Sequence, residues 1–177
     1  RIMRIMREIP PAYLIAGIIN IDMRKDIEEC LRKEKDAKKI KEIRFREIGF
    51  AIRENKEINN KIRIKKTRYK ASKGTEFFIE AINKDNILFA LLRLRIDKKA
   101  TIRELHVYGP TLKMKQKSEK VAQHKGLGKR LVTEAEKIAK KQGYKEIRII
   151  SGVGVREYYK RLGYRLDKEK IYVQKDL

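Results

Sequence analysis

Four strand-like segments follow one another between residues 61 and 110 with no helical pattern between them, and this order restricts the fold more than any other feature. The segments read KIRIKKTRYKA, TEFFIEAIN, ILFALLRLRI and TIRELHVYGP. Gly74 separates the first two, the turn NKDN from Asn83 to Asn86 joins the next two as a hairpin, and Gly109-Pro110 ends the fourth. The pattern predicts a sheet with mostly antiparallel strands.

The clearest helix of the chain begins at Gly126 and ends near Gln142-Gly143. Its apolar residues recur on one helical face, at Leu127, Leu131, Ala135, Ile138 and Ala139. Three shorter segments follow: a buried strand YKEIRIIS, a short helix VREYYKRLGY closed by Gly163, and a last strand KIYVQK. The order of elements predicts an α/β domain in which helices flank a mixed, mostly antiparallel sheet.

The N-terminal part has a different character and is predicted to be a connector. After Pro10-Pro11, the segment from about Met23 to Lys41 places apolar residues among charges, as an amphipathic helix does. The sequence starts RIMRIMREIPP without an initiator methionine, so we expect a piece of a longer protein. We predict a connector over residues 1–48 and the main domain over residues 49–177.

The chain carries a large excess of positive charge. Its 177 residues include 47 Lys and Arg against 24 Asp and Glu, which gives a formal net charge of +23. A charged surface of the hyperthermophile kind would explain many charges but not their imbalance, so a polyanion such as nucleic acid is the expected partner. The basic strand RIKKTRYK supplies the candidate nucleic-acid-binding residues Arg63, Lys65, Lys66, Arg68 and Lys70.

Other classes of protein are disfavoured by the composition. A single cysteine, Cys30, is incompatible with an internal disulfide framework and speaks against an iron–sulfur or all-thiolate metal site, so we expect no metal. The apolar runs fall short of the roughly 20 residues of a membrane span, and no signal-peptide pattern occurs. A cytoplasmic protein without a membrane partner is therefore expected.

The segment QHKGLGKR, from Gln123 to Arg130, has the features of an anion-binding loop. Two glycines lie at the start of the clearest helix, where backbone N–H groups lack intrahelical acceptors, and two cations follow them. The segment does not fit a Walker loop, since Gln123 and Arg130 stand where glycine and a hydroxyl residue are required. It also lacks the third small residue of a dinucleotide fingerprint, because Leu131 occupies that position.

The remaining pattern, Gln123-x-x-Gly126-x-Gly128, resembles the acetyl-coenzyme A pyrophosphate loop of the GNAT acetyltransferases. An ordinary glycine-rich loop that caps a helix is the alternative. The order of strands and helices around the loop is similar to that fold. The stretches LLRLRI, RELHVYG, QHKGLG and ISGVGVREYYKRLGY also resemble one branch, the catalytic subunit of Elongator, which modifies the wobble uridine of tRNA.

The N-terminal stretches RIMREIPP and RFREIG resemble the connector between the radical SAM domain and the acetyltransferase domain of that family. The resemblance therefore implies the C-terminal portion of such an enzyme without its radical domain, whose 4Fe-4S cluster and SAM this chain would not bind. Family members often carry zinc-binding cysteines in this connector. Ile40, Glu42 and Phe45 stand in the matching region, and they cannot supply thiolates.

The resemblance also implies where the cofactor, acetyl-CoA, would lie. Strand alternation places Glu104 and His106 on one face about 7 Å apart, with Leu105 and Val107 on the other. These four residues would line the thioester and pantetheine, and the glycine loop would hold the pyrophosphate. The cofactor-binding candidates are Glu104, Leu105, His106, Val107, Gln123, Gly126, Leu127, Gly128, Lys129, Arg130 and Tyr159.

Four residues are candidates for catalysis. Glu104 or His106 could polarise a water molecule or position the acetyl group, and the residues alone do not decide between them. A tyrosine of the short helix could protonate the departing thiolate, and the resemblance favours Tyr159 over Tyr158. Neighbouring residues on a helix point about 100° apart, so one of the two tyrosines must pack elsewhere.

The function implied by the resemblance is carboxymethylation of U34 in tRNA, in which this chain binds acetyl-CoA and hydrolyses it in response to tRNA. The missing radical SAM domain and Elongator-type subunits would be its protein partners. Lysine N-acetylation of a protein is an alternative, although a surface at +23 would repel a basic histone tail. A third reading is an RNA-binding module whose cofactor slot is vestigial.

Overall fold

The computed structural model describes residues 11–13, 15–17, 23–34, 39–40, 42–109 and 126–177. The chain forms two compact units, Arg1–Glu47 and Ile48–Leu177. In the first unit, helix α1 (Met23–Lys33) carries an ion pair between Arg24 and Glu28 at i,i+4 spacing, with the two atoms 2.7 Å apart. The helix is shorter than the predicted span to Lys41, part of which lies outside the described residues.

The second unit contains one seven-stranded sheet with the order β1-β2-β3-β4-β5-β7-β6. Neighbouring strands are antiparallel except β4 and β5, which are parallel, so the predicted mixed sheet is confirmed. The two-residue strand β6 was not predicted. The strands are β1 (Arg63–Ala71), β2 (Gly74–Ile82), β3 (Leu88–Ile96), β4 (Ala100–Val107), β5 (Glu146–Ile150), β6 (Arg165–Leu166) and β7 (Tyr172–Asp176).

Three α-helices accompany this sheet in the described part of the second unit: α2 (Ile48–Arg53), α3 (Leu127–Lys141) and α4 (Arg156–Lys160). The sequence predicted α3 and α4 but not α2, whose six residues are too few to show a period. The apolar face of α3 packs on the sheet and buries Leu127, Leu131, Ala135 and Ala139. The helix ends where predicted, with Gly143 in the left-handed region at φ 85°.

The hydrophobic core lies between α3 and the central strands. Leu92, Leu94, Ile102, Leu131 and Ile147 are fully buried there. Each such aliphatic side chain contributes about 1.5 to 3 kcal/mol through removal from water. Because the core holds α3 against β3, β4 and β5, it fixes the helix N-terminus relative to the end of β4.

A β-bulge in β4 determines which of its side chains enter the core. Leu94 pairs with Ile102 while Arg93 pairs with Glu104, so Arg103 is the extra residue. Beyond the bulge, Leu105 and Val107 lie on the same face as Ile102, towards α3. Without the bulge, strict alternation would direct Glu104 into the core.

Candidate functional site

A cleft opens where β4 and β5 part. The two strands pair only from Ala100 to Ile102, opposite Ile147 to Ile149. β4 continues to Val107, whereas β5 ends at Ile150. In the described part of the chain, the edge of β4 beyond Ile102 has no strand beside it on this side, so its backbone groups face the cleft.

The N-terminus of α3 faces the same cleft. Gly126, the N-cap residue, has φ 88° and no side-chain cap, and the first intrahelical bond runs from the Arg130 N–H to the Gly126 carbonyl at 2.9 Å. The amides of Leu127, Gly128 and Lys129 therefore have no intrahelical acceptor. The first turn contains no acidic residue, and Lys129 and Arg130 are exposed. These features favour a bound anion.

Gly128 is in close contact with both other walls of the cleft. A Cβ atom at this position would lie 2.6 Å from the Tyr158 hydroxyl oxygen and 3.5 Å from Cγ2 of Val107. Only glycine allows this approach. The start of α3, the end of β4 and the phenol of α4 therefore meet at one point.

The cleft has a volume of about 530 Å³, within the usual range for small-molecule sites. Its walls are mainly apolar, and two cations, Lys129 and Arg161, lie at its border. The lining residues are Leu105, Val107, Gly126, Gly128, Lys129, Val155, Tyr158, Tyr159, Arg161 and Leu162.

The two tyrosines of α4 have different environments. Tyr159 is only 6% exposed and packs edge-to-face on Tyr164, with ring centroids 6.0 Å apart, so its ring belongs to the core. Burial raises the pKa of Tyr159 to about 12. Tyr158 is partly exposed, and burial raises its pKa above the usual 10.0. Both tyrosines line the cleft, and Tyr158 is the more exposed of the two.

Glu104 and His106 lie on the face of β4 opposite to Leu105 and Val107. Nε2 of His106 is 3.1 Å from Oε1 of Glu104, and an Nη atom of Arg93 is 3.5 Å from the other carboxylate oxygen. The Glu104 side chain is 9% exposed and that of His106 is 50% exposed. β4 thus presents an apolar side to the cleft and a charged side behind it.

Two cofactor-binding candidates have a different status. Leu127 is 2% exposed and part of the core, so it can offer a ligand only its backbone amide. Gln123 lies outside the described residues. Of the remaining candidates around the helix start, Gly126, Gly128 and Lys129 line the cleft, whereas Arg130 lines a neighbouring pocket with Ile64 and Glu134.

The five basic candidates of β1 are divided between the two faces of the sheet. Lys66 pairs with Glu134 of α3 at 2.5 Å, whereas Lys65 lies 3.9 Å from the buried Glu80 on the other face. Lys70 donates to Thr75 at 3.1 Å. Arg63 shares the face of Lys65, and Arg68 shares that of Lys66. Arg63 and Lys65 therefore lie on one face, and Lys66, Arg68 and Lys70 on the other.

Neither a membrane span nor a metal cluster is found in the described ranges. Their helices are too short or too polar to cross a bilayer. No group of three or more His, Cys, Asp or Glu side chains in these ranges is arranged to hold a metal ion.

The comparisons with known proteins agree with this geometry. Residues 119–175 match the family described as acetyltransferase (GNAT) domain. The chain is 36% identical to the tRNA uridine(34) acetyltransferase of Dehalococcoides mccartyi, with 94% of this chain and 38% of that protein covered. It is 38% identical to Elongator complex protein 3 of Schizosaccharomyces pombe, with coverage of 94% and 33%.

The structure is also similar to that of the archaeal Methanocaldococcus infernus Elp3 with an N-terminal deletion. The TM-score is 0.72 and the sequence identity 32%, with 98% of this chain and 43% of that chain covered. The chain thus spans about a third of the length of the curated relatives named above.

Proposed function

The chain belongs to the GNAT acetyltransferases and is related over nearly its whole length to tRNA uridine(34) acetyltransferases and Elongator complex protein 3, and on this premise we propose that it binds acetyl-CoA within an enzyme that carboxymethylates U34 of tRNA. The observation that carries the proposal is the uncapped start of α3 beside the open edge of β4. Both features are needed to hold a long, phosphate-bearing thioester in an extended form.

The residues of the cleft fit the two parts of acetyl-CoA. The amides of Leu127, Gly128 and Lys129 would bind the pyrophosphate, and Lys129 and Arg130 would add charge. The apolar wall at Leu105 and Val107, together with the backbone edge of β4, would hold the pantetheine. When bound, the thioester supplies the acetyl group.

Tyr158 is proposed as the proton donor for the departing sulfur. Its phenol is protonated at neutral pH, and burial raises its pKa further above the ordinary 10.0. Its hydroxyl lies against Gly128, inside the cleft. Tyr159 positions α4 through its contact with Tyr164 and is assigned no proton transfer.

The charged side of β4 is proposed to serve hydrolysis. Glu104 lies between Arg93 and His106 and is almost buried, whereas the imidazole beside it is half exposed. His106 would take a proton from water, because it is the more accessible of the two groups. In this proposal the histidine, rather than Glu104, is the base.

The excess of positive charge supports tRNA as the trigger and acceptor. A net charge of +23 favours phosphates through counterion release and disfavours basic peptides. The complete reaction would also need SAM and a 4Fe-4S cluster, supplied by a radical domain, and Elongator-type subunits are possible partners. We place the enzyme in the cytoplasm, where tRNA is modified.

The test is to measure CoA release by the 177-residue chain with and without tRNA, after calorimetry has established acetyl-CoA binding. We expect binding without tRNA and faster release in its presence. Mass analysis of added proteins tests lysine acetylation in parallel. Absence of acetyl-CoA binding would leave only an RNA-binding role, and acetylated lysines without a tRNA effect would replace our proposal by protein acetylation.

A further inference from the structure

A second cleft lies at the opposite end of the sheet from the first. It has a volume of about 770 Å³ and is formed by the β1–β2 turn, the β3–β4 turn and β5. The two clefts lie at opposite ends of β4, and the strand between them is roughly 25 Å long. The lining residues are Ser72, Lys73, Arg95, Asp97, Lys98, Lys99 and Arg148. We refer to them as the turn cleft.

The turn cleft is strongly cationic. Five of its lining side chains are basic, and Asp97 is the single acidic one. Asp97 is already engaged by Arg95, whose Nε lies 2.6 Å from the carboxylate. Lys73, Lys98 and Lys99 are exposed and form no ion pair with any residue that the structure describes. Three lysines therefore point their charge at solvent around one concave surface.

The floor of the turn cleft is a fixed framework. Besides Asp97, Arg95 binds the carbonyls of Ala71 at 3.1 Å and Ser72 at 2.9 Å, and it pairs with the buried Glu76 at 3.2 Å. Its guanidinium packs directly on Gly74, where a Cβ atom would approach it to 2.8 Å. Arg95 thus ties the two turns together, and the lysines stand on a preorganised base.

The side wall combines a guanidinium with an aromatic ring. Arg148 donates from Nε to Thr101 at 3.0 Å, and its guanidinium lies over the ring of Tyr172 at 4.2 Å. Within the described part of the chain, its Nη atoms make no further hydrogen bond. A planar guanidinium held in this way is suited to a phosphate group.

We infer that the turn cleft binds the phosphodiester backbone of RNA at a site distinct from the acetyl-CoA cleft. Its chemistry consists of several long cations and one oriented guanidinium, which matches a chain of phosphates rather than one small anion. The inference shares with the proposed function only the premise that RNA is a partner. It stands even if acetyl-CoA does not bind.

The test compares two triple variants with the same loss of charge. In the first, Lys73, Lys98 and Lys99 are changed to Gln, which leaves the Arg95 framework intact. In the control, the exposed lysines Lys61, Lys84 and Lys168, which do not line the turn cleft, are changed to Gln. Binding of a fluorescent tRNA transcript is measured by anisotropy between 50 and 300 mM salt without acetyl-CoA, and circular dichroism verifies that both variants fold.

We expect the turn-cleft variant to lower the slope of log affinity against log salt by about 2 to 3, and the control by less than about 1. Equal effects of the two triples would overturn the inference, since net charge alone would then account for binding. Poly-L-glutamate is the probe for an acidic protein. If the turn-cleft variant lost binding of poly-L-glutamate but kept its tRNA affinity, the cleft would be assigned to a protein partner, and the inference would also be overturned.

The same variants keep this inference separate from the proposed function. Calorimetry should give unchanged acetyl-CoA affinity for the turn-cleft triple, because its lysines lie at the other end of β4. If the wild-type chain fails to bind acetyl-CoA while the turn-cleft triple still has a lower tRNA affinity, the proposed function fails and the turn cleft remains an RNA site.

Discussion

The two ends of the sheet present different groups to the anions that we propose for them. At the α3 end, these groups are backbone amides, and the glycines at 126 and 128 allow close approach. At the turn-cleft end, they are long side chains on two hairpin turns and β5. The first kind depends on shape and tolerates almost no substitution at its glycines. The second depends on charge and tolerates exchange of single residues.

The largest expected effect is on the backbone site. Gly128→Glu places a carboxylate between the Tyr158 hydroxyl and the uncapped amides, where bulk and charge both oppose a phosphate. We expect acetyl-CoA affinity to fall at least 1000-fold, measured by calorimetry. Gln142→Glu adds the same charge at the other end of α3 and should leave affinity within about threefold. Retention of full affinity by the Gly128 variant would show that the cofactor binds elsewhere.

The difference between the two sites also explains what the sequence could reveal. The glycine loop is contiguous, so the sequence alone could propose an anion site there, and the apolar face of α3 correctly predicted the helix that follows it. The turn cleft draws on Lys73, Lys98 and Arg148, which are distant in sequence and meet only through strand register. The basic strand β1 was the more visible signal, yet alternation divides its charges between two faces.

Two further features of the site could not be read from the sequence. The bulge at Arg103 depends on how β3 and β4 pair, and it removes Glu104 from the core. The choice between adjacent tyrosines depends on the rotation of α4 around its axis, which is set by packing of Tyr159 on Tyr164. A five-residue helix contains too few apolar positions to define that rotation from its pattern.

The second prediction separates the two tyrosines at the α3 end. Tyr158→Phe removes a phenolic proton from the cleft but keeps the ring, so CoA release should slow by about 100-fold. Tyr159→Phe should change the rate by less than about threefold, because its ring is a packing element. Stopped-flow or coupled detection of free CoA measures both. If Tyr159→Phe released CoA more slowly than Tyr158→Phe, Tyr159 would be the proton donor, as the resemblance implies, and our choice of Tyr158 would be wrong.

The third prediction concerns the loss of stability at high pH at the α3 end. An unfolded tyrosine ionises near pH 10, whereas buried Tyr159 does so at about 12. Between these values the unfolded state has released a proton that the folded state keeps, so stability falls as pH rises. Each such phenol contributes about 1.4 kcal/mol per pH unit. Urea unfolding from pH 9 to 11.5 should show this decline, and Tyr159→Phe should make it less steep.

At low pH, a loss of folding stability is expected at the turn cleft. The hydrogen bond from Arg95 holds the pKa of Asp97 below its usual 3.8. The bond therefore stabilises the folded state above pH 3.8, and this stabilisation disappears as the pH falls through the pKa of Asp97 in the folded protein. Hydrogen exchange should therefore show faster opening of the β3–β4 turn at pH 3 than at pH 5. Asp97→Asn should remove this pH dependence. Equal exchange of the turn at the two pH values would contradict the assignment.

The smallest effect is expected on β1, the strand whose charges are most evident in the sequence. Changing Lys65, Lys66 and Arg68 to Ala removes as much charge as the turn-cleft triple, but Lys66 already pairs with Glu134 and Lys65 lies beside Glu80. We expect tRNA affinity to fall about tenfold or less and the salt slope to flatten by about 1. A larger loss of tRNA affinity than that of the turn-cleft triple would mean that the lysines of β1 leave their carboxylate partners to bind RNA. Since an exposed ion pair contributes at most about 1 kcal/mol, phosphates can compete for those lysines, and the difference between the two salt slopes measures that competition.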